Sequence, residues 1–346
     1  MGAGSFARAL IDWQRQHGRH DLPWQQCADP YRVWLSEIML QQTRVAAVIP
    51  YYERFLARFP DVAALAAAPA QDVMEHWAGL GYYARARSLQ ACARRIVAEH
   101  GGRFPASARE LEELPGIGPS TAAAIAAFCF GERVAILDGN VKRVLARRFA
   151  VEGDPAAPAV ARVLWRHAQR LLPPAREIGV YTQAIMDLGA GVCGRAKPDC
   201  AHCPVRRGCR ARIEGRVDEL PARRRRADKP VRAAHFLVVM DRDGVLVEER
   251  PARGIWGGLL APPQYPLAHP MLSAARAYAA HAPQALAPRR HGFTHYTLDF
   301  TPHVLMLEQA ERPMASAPLR WLAWSSLESA ALPAPVRTLL RELRSQ

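Results

Sequence analysis

The first 190 residues carry apolar side chains that recur three and four positions apart, which is the spacing of one helix face. The pattern is clear in YRVWLSEIML (31–40), TRVAAVIPYYERFLARF (43–59) and STAAAIAAFCF (120–130), and Pro and Gly separate such segments. No stretch in this part alternates apolar and polar residues as a half-buried strand would. The pattern therefore predicts that the first part of the chain is helical.

The pattern changes after a charged stretch that contains four consecutive arginines at 223–226, a composition typical of a linker. HFLVVM (235–240) and VLVEER (245–250) predict two strands around an Asp-Gly turn, and HYTLDFTPHVLML (295–307) adds further strand candidates. We therefore expect three parts: a helical domain over residues 1–214, a basic linker over 215–232 and an α+β domain over 233–346.

The charge of the chain narrows the choice of partner. Its 46 Lys and Arg residues against 32 Asp and Glu give a formal net charge of +14. Such an excess favours a polyanionic partner such as nucleic acid, although a basic but merely soluble surface has the same composition. The longest apolar run, Ala122–Phe130, is far shorter than the roughly 20 residues of a membrane-spanning helix. Asp12 and polar residues lie where a signal peptide would carry its apolar core, so we expect a cytoplasmic protein without a membrane partner.

Four of the seven cysteines lie in one basic loop, CGRAKPDCAHCPVRRGC (193–209), as Cys193, Cys200, Cys203 and Cys209. In the cytoplasm such a group binds metal more often than it forms disulfides. Zinc sites usually combine two close pairs, whereas this loop has a single C-x2-C with more distant outer cysteines. The spacing favours one [4Fe–4S] cluster over zinc, and the surrounding arginines suit a phosphate contact. Cys27, Cys92 and Cys129 are isolated and are expected to pack as small apolar residues.

A second motif, LPGIGPSTA (114–122), lies between two predicted helices. Gly116 and Gly118 allow a tight turn and a close approach of the backbone to a ligand. The N–H groups at the start of the following helix favour an anion, and Ser120 or Thr121 is expected to cap that helix. The motif alone is also compatible with an ordinary helix-turn-helix.

Together with ILDGNVKRVLARRF (136–149) and the cysteine loop, this motif resembles the helix-hairpin-helix DNA glycosylase superfamily. LPWQQCADPYRVWLSEIMLQQTRVAAVIPYYERF (22–55) and WAGLGYYARARSL (77–89) resemble MutY-type adenine DNA glycosylases within it. The resemblance covers most of residues 20–210 and is weaker in the last third, which resembles a Nudix domain. It implies an all-α helix-hairpin-helix glycosylase domain with a [4Fe–4S] loop, a Nudix-like α+β C-terminal domain, and extrusion of the target base from the duplex.

The resemblance also implies the catalytic residues. Glu37 would protonate the adenine, and its apolar helical neighbours Val33 and Trp34 favour the raised pKa that an acid needs at neutral pH. Asp138, which also suits a helix N-cap, would stabilise the sugar cation, electrostatically or through a transient bond, and Asn140 would orient water. Bifunctional relatives similar to endonuclease III carry a lysine where this chain has Ser120, so a monofunctional hydrolase is implied.

Contacts with DNA follow from the same resemblance. Gln42 and Tyr82 match positions that wedge into the duplex, and Trp24 and Gln183 match an adenine pocket. The remaining implied DNA contacts are Gly116, Gly118, Ser120, Lys142 and Arg143. The implied partner is double-stranded DNA with adenine opposite 8-oxoguanine or guanine, bound by a monomer associated with the nucleoid.

RHGFTHYTLDF (290–300) resembles the segment with which such enzymes read the base opposite adenine. Phe293 would wedge beside 8-oxoguanine, while Thr294 and His295 would hydrogen-bond it; one buried aromatic on an ordinary strand is the alternative. Three rival functions share some of these features: a bifunctional pyrimidine glycosylase, a non-catalytic iron–sulfur DNA-binding protein and a nucleotide pyrophosphohydrolase. The last is disfavoured because GIWGGL (254–259) lacks the acidic cluster of the hydrolase signature.

Overall fold

The structure, a computed structural model, describes residues 3–25, 27–222, 228–251, 254, 256–293, 295–308, 315 and 318–345. It divides into two compact units. The first comprises residues 1–67 and 88–225, and the second comprises residues 68–87 and 226–346. The sequence pattern instead places residues 68–87 in the helical domain, and the expected domain bounds stay a prediction.

The chain up to residue 222 is helical, as the apolar spacing predicts, and its described residues contain no strand. Three short 3-10 turns lie at Pro23–Gln25, Ala175–Glu177 and Arg206–Gly208. The α-helices are α1 Ala3–His17, α2 Pro30–Leu40, α3 Val45–Arg58, α4 Val62–Ala67, α5 Ala70–Trp77, α6 Ala84–His100, α7 Ala108–Glu112, α8 Pro119–Phe130, α9 Gly139–Phe149, α10 Pro158–Arg170, α11 Ile178–Ala190 and α12 Arg210–Ile213. None of the described helices is long and apolar enough to cross a membrane.

Helix α8 runs through the core of the first unit, and all its residues from Thr121 to Ala127 are buried. Helices α1, α9 and α11 pack around the same core through Leu10, Leu145 and Leu188, none of which is exposed. Because α8 presents mainly alanine, its neighbours approach closely, and packing rather than amphipathic patterning stabilises it.

The starts of three helices orient the residues predicted to be functional. Asp29 caps α2, accepting a hydrogen bond from the N–H of Tyr31 at 2.9 Å. Asp138 caps α9 in the same way, as its position before Gly-Asn suggests. The prediction for α8 is wrong: its N-cap is Gly118, with no side-chain cap, because the helix already begins at Pro119. Ser120 and Thr121 therefore lie inside its first turn.

The second unit contains a mixed sheet with strand order β3-β2-β1-β7-β5, in which β1 and β7 are parallel with Val231 opposite Thr297. The strand predictions around the Asp-Gly turn and in the 295–307 segment are confirmed by β1, β2 and β7. The strands are β1 Val231–Met240, β2 Gly244–Glu249, β3 Leu260–Ala261, β4 Gln264–Tyr265, β5 Gln284–Ala285, β6 Arg289–Gly292, β7 Thr297–Met306 and β8 Leu319–Ala323, and the helices α13 Ala268–Ala275 and α14 Ala334–Arg344 follow β4 and β8.

Alternate residues of β1 face opposite sides of the sheet. Leu237 and Val239 pack against Met271 of α13, whereas Phe236 stacks on Phe300 of β7 with ring centroids 4.7 Å apart. Because β1 begins at Val231, it extends two residues into the stretch predicted as a linker. Residues 223–227 of that stretch lie outside the described part of the chain.

Candidate active site

An open cavity of about 1770 Å³ lies within the first unit. It brings together residues that are far apart in sequence, including Gly139 at the start of α9 and Thr121 of α8. The sequence-predicted residues that line it are Trp24, Glu37, Gln42, Ser120, Asp138, Asn140, Lys142, Arg143 and Gln183. The structure thus gathers the predicted acid, anion, water-orienting and base-pocket residues around one space.

Glu37 reaches the cavity from the last part of α2. Val33 and Trp34, one turn earlier, are buried, so the carboxyl lies on an apolar wall as its neighbours in the sequence suggest. Burial raises the pKa of Glu37 to about 8, and the negative charge of Asp138 adds to the rise. A carboxyl with this pKa is protonated at neutral pH and can donate a proton.

Asp138 lines the same cavity from the N-cap of α9. Its carboxylate accepts hydrogen bonds from the N–H of Val141 at 2.7 Å and from the side-chain amide of Asn140 at 3.1 Å. Burial raises the pKa of Asp138, while these donors and the charge of Arg143 act in the opposite direction. Donors directed at a buried carboxylate favour its ionised form.

Arg143 connects the active site to the cysteine loop. Its guanidinium donates to Oδ1 of Asn140 at 2.9 Å and to the carbonyls of Gly189 and Cys193 at 2.5 and 2.8 Å. Helices α9 and α11 meet tightly here, because a Cβ at Gly189 would lie 2.6 Å from Cβ of Asn140. All three of these hydrogen bonds from Arg143 are made within the protein. The predicted contact of Arg143 with DNA stays a prediction.

The two residues predicted as wedges have an uncommon backbone conformation. Gln42 follows α2 with φ 59°, and Tyr82 lies before α6, in the second unit, with φ 50°. The left-handed region is rarely occupied by residues other than glycine, and such strain concentrates at functional sites. The Tyr82 ring is 46% exposed, and Arg85 lies over it at 5.5 Å while donating to the carbonyl of Gly81 at 3.2 Å.

The hairpin between α7 and α8 requires glycine at Gly116, which has φ 78° and would place a Cβ 2.7 Å from that of Ser88. Gly118 has an extended backbone and open space around it. Because Gly118 is the N-cap and has no side chain to cap α8, the first N–H groups of this helix are available to an anion.

The cysteine loop holds its four thiols close enough together for their charges to interact. Burial raises the pKa of Cys203 to about 11, opposed by the N–H of Val205, and the other three thiols add to the rise. Arg147 donates to Sγ of Cys193 at 3.3 Å, and the N–H of Arg212 donates to Cys209. Among the described residues, no group of three or more His, Cys, Asp or Glu side chains has the arrangement that holds a single metal ion.

The described residues of the predicted opposite-base segment lie in β6, in β7 and between these two strands. The N–H of Phe293 donates to the carbonyl of Tyr296 at 2.8 Å, and their rings stack at 4.8 Å. Phe293 also contacts Trp256 at 5.5 Å, so this aromatic belongs to a packed cluster, while His295 is exposed. Thr294 lies outside the described residues.

Sequence reasoning missed three polar residues that organise the site. Arg147 is buried and donates to carbonyls of Gly194 and Leu220 around the cysteine loop. Arg19 and Asp187 form an ion pair beside the cavity. An acidic residue within the apolar α11 segment YTQAIMDLGA was the available signal, because a buried carboxylate needs a partner.

Two family profiles and several relatives match this chain. A sequence profile described as HhH-GPD superfamily base excision DNA repair protein matches residues 35–170, and a NUDIX domain profile matches residues 234–342. The adenine DNA glycosylase of Mus musculus is 34% identical, covering 97% of this chain and 77% of the relative. The adenine DNA glycosylase of Buchnera aphidicola subsp. Baizongia pistaciae is 31% identical, covering 98% and 97%.

Solved structures resemble the helical part of the chain. A thermostable thymine-DNA glycosylase has a TM-score of 0.56 at 27% identity, covering 61% of this chain and 97% of that protein. Endonuclease III in a non-covalent DNA complex has a TM-score of 0.51 at 20% identity, covering 62% and 98%, a likeness of fold.

Proposed function

Because the chain belongs to the adenine DNA glycosylases of the helix-hairpin-helix superfamily, we propose that it removes adenine mispaired with 8-oxoguanine or guanine. It is a DNA N-glycosylase, an enzyme of base excision repair. The proposed chemistry rests on one observation: Glu37 and Asp138 line the same cavity. Burial raises the pKa of Glu37 to about 8, whereas hydrogen-bond donors and Arg143 oppose the effect of burial on the pKa of Asp138.

Glu37 donates its proton to N7 of the extruded adenine, which makes the base a better leaving group. The N-glycosidic bond then breaks with its electron pair on the base, and positive charge develops on the sugar. The carboxylate of Asp138, held in place by Val141 and Asn140, stabilises this charge through preorganised electrostatics. The acid and the anion therefore come from two different helices.

Water completes the reaction. Asn140, fixed between Asp138 and Arg143, orients the water that adds to the sugar carbon, and the proton that this water loses leaves to solvent through the open cavity. Ser120 lines the cavity where bifunctional relatives carry a lysine, and a hydroxyl cannot form their Schiff base. We therefore expect an intact abasic site as the product, and Ser120 in place of the lysine disfavours the bifunctional rival.

The four cysteines of the 193–209 loop hold one [4Fe–4S] cluster in this proposal. Support comes from the proximity of the thiols and from N–H donors directed at three of them, which favour thiolate sulfur. Ligation of such a cluster by these four cysteines would tie the loop covalently into one rigid piece. Arg143 and Arg147 extend that rigidity to α9 through Cys193.

Recognition of the duplex is divided among several elements. The uncapped start of α8 with Gly116 and Gly118 binds phosphate, assisted by Lys142, while Gln42 and Tyr82 enter the stack beside the displaced base.

The two bases of the mispair are read separately. Trp24, packed edge-on against Tyr52 at 5.3 Å, and Gln183 contact adenine. In the C-terminal part, Phe293, Thr294 and His295 read the opposite 8-oxoguanine. The protein acts as a monomer on nucleoid DNA.

The test is excision from duplexes that carry A, C, G or T opposite guanine, and A opposite 8-oxoguanine, scored by strand breakage after hot alkali. We expect cleavage only where adenine is present, faster opposite 8-oxoguanine. His295→Ala should reduce that preference while leaving excision from A·G unchanged. Removal of thymine from T·G in the absence of adenine excision would replace the proposal with a thymine-specific activity.

A further inference from the structure

Asp187 and Arg19 form an ion pair at the cavity wall, where Arg19 itself lines the cavity. Asp187 lies on α11, and its side chain is only 3% exposed. Arg19, in the segment after α1, donates to Oδ2 through its backbone N–H at 3.0 Å and to Oδ1 through Nε at 2.7 Å. Its Nη2 lies 2.5 Å from the same Oδ1. The carboxylate is therefore fixed in position and orientation from both oxygens.

The same carboxylate holds Gln183, one turn earlier on α11. Nε2 of Gln183 donates to Oδ1 of Asp187 at 2.8 Å. A carboxylate paired with a guanidinium can only accept hydrogen bonds, so it selects the amide nitrogen of Gln183. If the amide of Gln183 were flipped, its oxygen would face the carboxylate of Asp187, and no hydrogen would lie between these two acceptors. Nε2 keeps a second N–H, but the amide oxygen is the one acceptor of the Gln183 side chain, and the contact with Asp187 turns it away from that carboxylate in a residue that lines the cavity.

We propose that Arg19 and Asp187 are positioning residues that make Gln183 a hydrogen-bond acceptor toward the extruded base. The cavity then selects a base with an amino donor at the position that adenine presents to Gln183. A base with a carbonyl there, such as hypoxanthine or guanine, would bring two oxygens together. This inference rests on the proposed excision of adenine and on the contact between Gln183 and the base.

A purely structural ion pair would behave differently. Arg19 and Asp187 join the chain after α1 to α11, so their loss in that case would slow the removal of every base by the same factor. A positioning role instead changes the ratio between substrates. The ratio is therefore the informative quantity, and comparing it between variants cancels the intrinsic difference in leaving ability between the bases.

The experiment measures single-turnover excision of adenine, purine and hypoxanthine opposite guanine by the full-length protein. Asp187→Asn keeps the shape of the side chain, but its amide can both donate and accept, which releases Gln183 to turn either end to the cavity. We expect the adenine-to-hypoxanthine rate ratio to fall by about tenfold, the effect of losing one oriented hydrogen bond. Purine, which has neither group at that position, should be affected least.

The double variant Gln183→Glu with Asp187→Asn is the matched control. It exchanges donor and acceptor, because the Asn amide now donates to the Glu carboxylate, whose second oxygen faces the cavity as an acceptor. Net charge is unchanged, and Arg19 remains beside the pair. We expect this variant to recover most of the lost ratio, which restoration of fold alone would not explain.

Three outcomes decide the matter. An unchanged ratio in folded Asp187→Asn overturns the inference, as does a failure of the double variant to recover it. Should Asp187→Asn not fold, Gln183→Met leaves the ion pair of Arg19 and Asp187 in place and must itself abolish the ratio, or the inference is wrong. If the wild-type protein excises no adenine at all, the proposed function fails instead, so the two failures are distinguishable.

Discussion

Asp138 lies close enough to Glu37 across the cavity for its charge to add to the effect of burial, and together they raise the pKa of Glu37 to about 8. The relationship is asymmetric. Asp138 receives hydrogen bonds from Val141 and Asn140, whereas the environment of Glu37 is dominated by loss of water. The same pair of residues thus supplies a proton donor and an anion at one pH.

The first prediction is a bell-shaped dependence of single-turnover excision on pH. The rate should fall as pH rises through about 8, because Glu37 loses the proton that it must donate. The rate should also fall at acidic pH as Asp138 becomes protonated. This fall should occur at a higher pH than for an ordinary aspartate, because burial raises the pKa of Asp138. A rate that keeps rising from pH 7 to pH 10 would contradict the acid role of Glu37.

The second prediction concerns stability. The pKa of Glu37 in the folded protein, about 8, lies above its ordinary value of 4.5. Between these two pH values the folded protein holds the proton more strongly than the unfolded chain, so ionisation of Glu37 opposes folding. Glu37→Gln should therefore raise the melting temperature at pH 8.5 and change it little at pH 5. Glu53→Gln, on the exposed side of α3, is the control and should show no such pH-dependent gain. Equal effects of Glu37→Gln at both pH values would refute the raised pKa.

The third prediction concerns the product. With Ser120 in the cavity, the wild-type protein should leave abasic sites that break only on treatment with alkali. Ser120→Lys introduces the missing amine and should add strand scission and a borohydride-trapped DNA adduct, while Ser120→Ala should do neither. Efficient scission by the wild-type protein without alkali would require a different nucleophile.

How far the sequence predicts this molecule depends on the range of the interactions. Local patterns suffice for the helices, for the strands around the Asp-Gly turn, for the cap at Asp138 and for the apolar wall behind Glu37. They fail at the start of α8, where Pro119 begins the helix earlier than Ser120 suggests. Each of the successful inferences needs only a few neighbouring residues.

Long-range contacts are not encoded in any local pattern. From the sequence, Arg143 is expected to contact DNA like other basic residues. In the structure its guanidinium donates to the carbonyls of Gly189 and Cys193, which are 46 and 50 positions away. Arg19 and Asp187 are separated by 168 positions, and only the fold brings them together behind Gln183. Charged residues on helices are therefore the ones whose roles the sequence leaves most open.

The fourth prediction concerns the cysteine loop. Purified protein should contain about four iron atoms and absorb broadly near 400 nm, as sulfide-bridged iron sites do. Cys203→Ser should lower bound iron and destabilise the 193–209 loop, because a buried ligand is lost. Cys129→Ser, in α8 and outside that loop, should retain full iron content. Stoichiometric zinc in a colourless protein would reverse the cofactor assignment.

The most direct measurement compares Glu37→Gln with the wild-type protein in single-turnover excision of adenine from A·G and in duplex binding. Glutamine keeps the shape and removes the donatable proton, so excision should fall about 100- to 10,000-fold, the usual contribution of a general acid, with mispair affinity within a few-fold of wild type. Glu53→Gln should match the wild-type protein in both. Excision by Glu37→Gln at near the wild-type rate would contradict the central claim that Glu37 protonates adenine in this cavity.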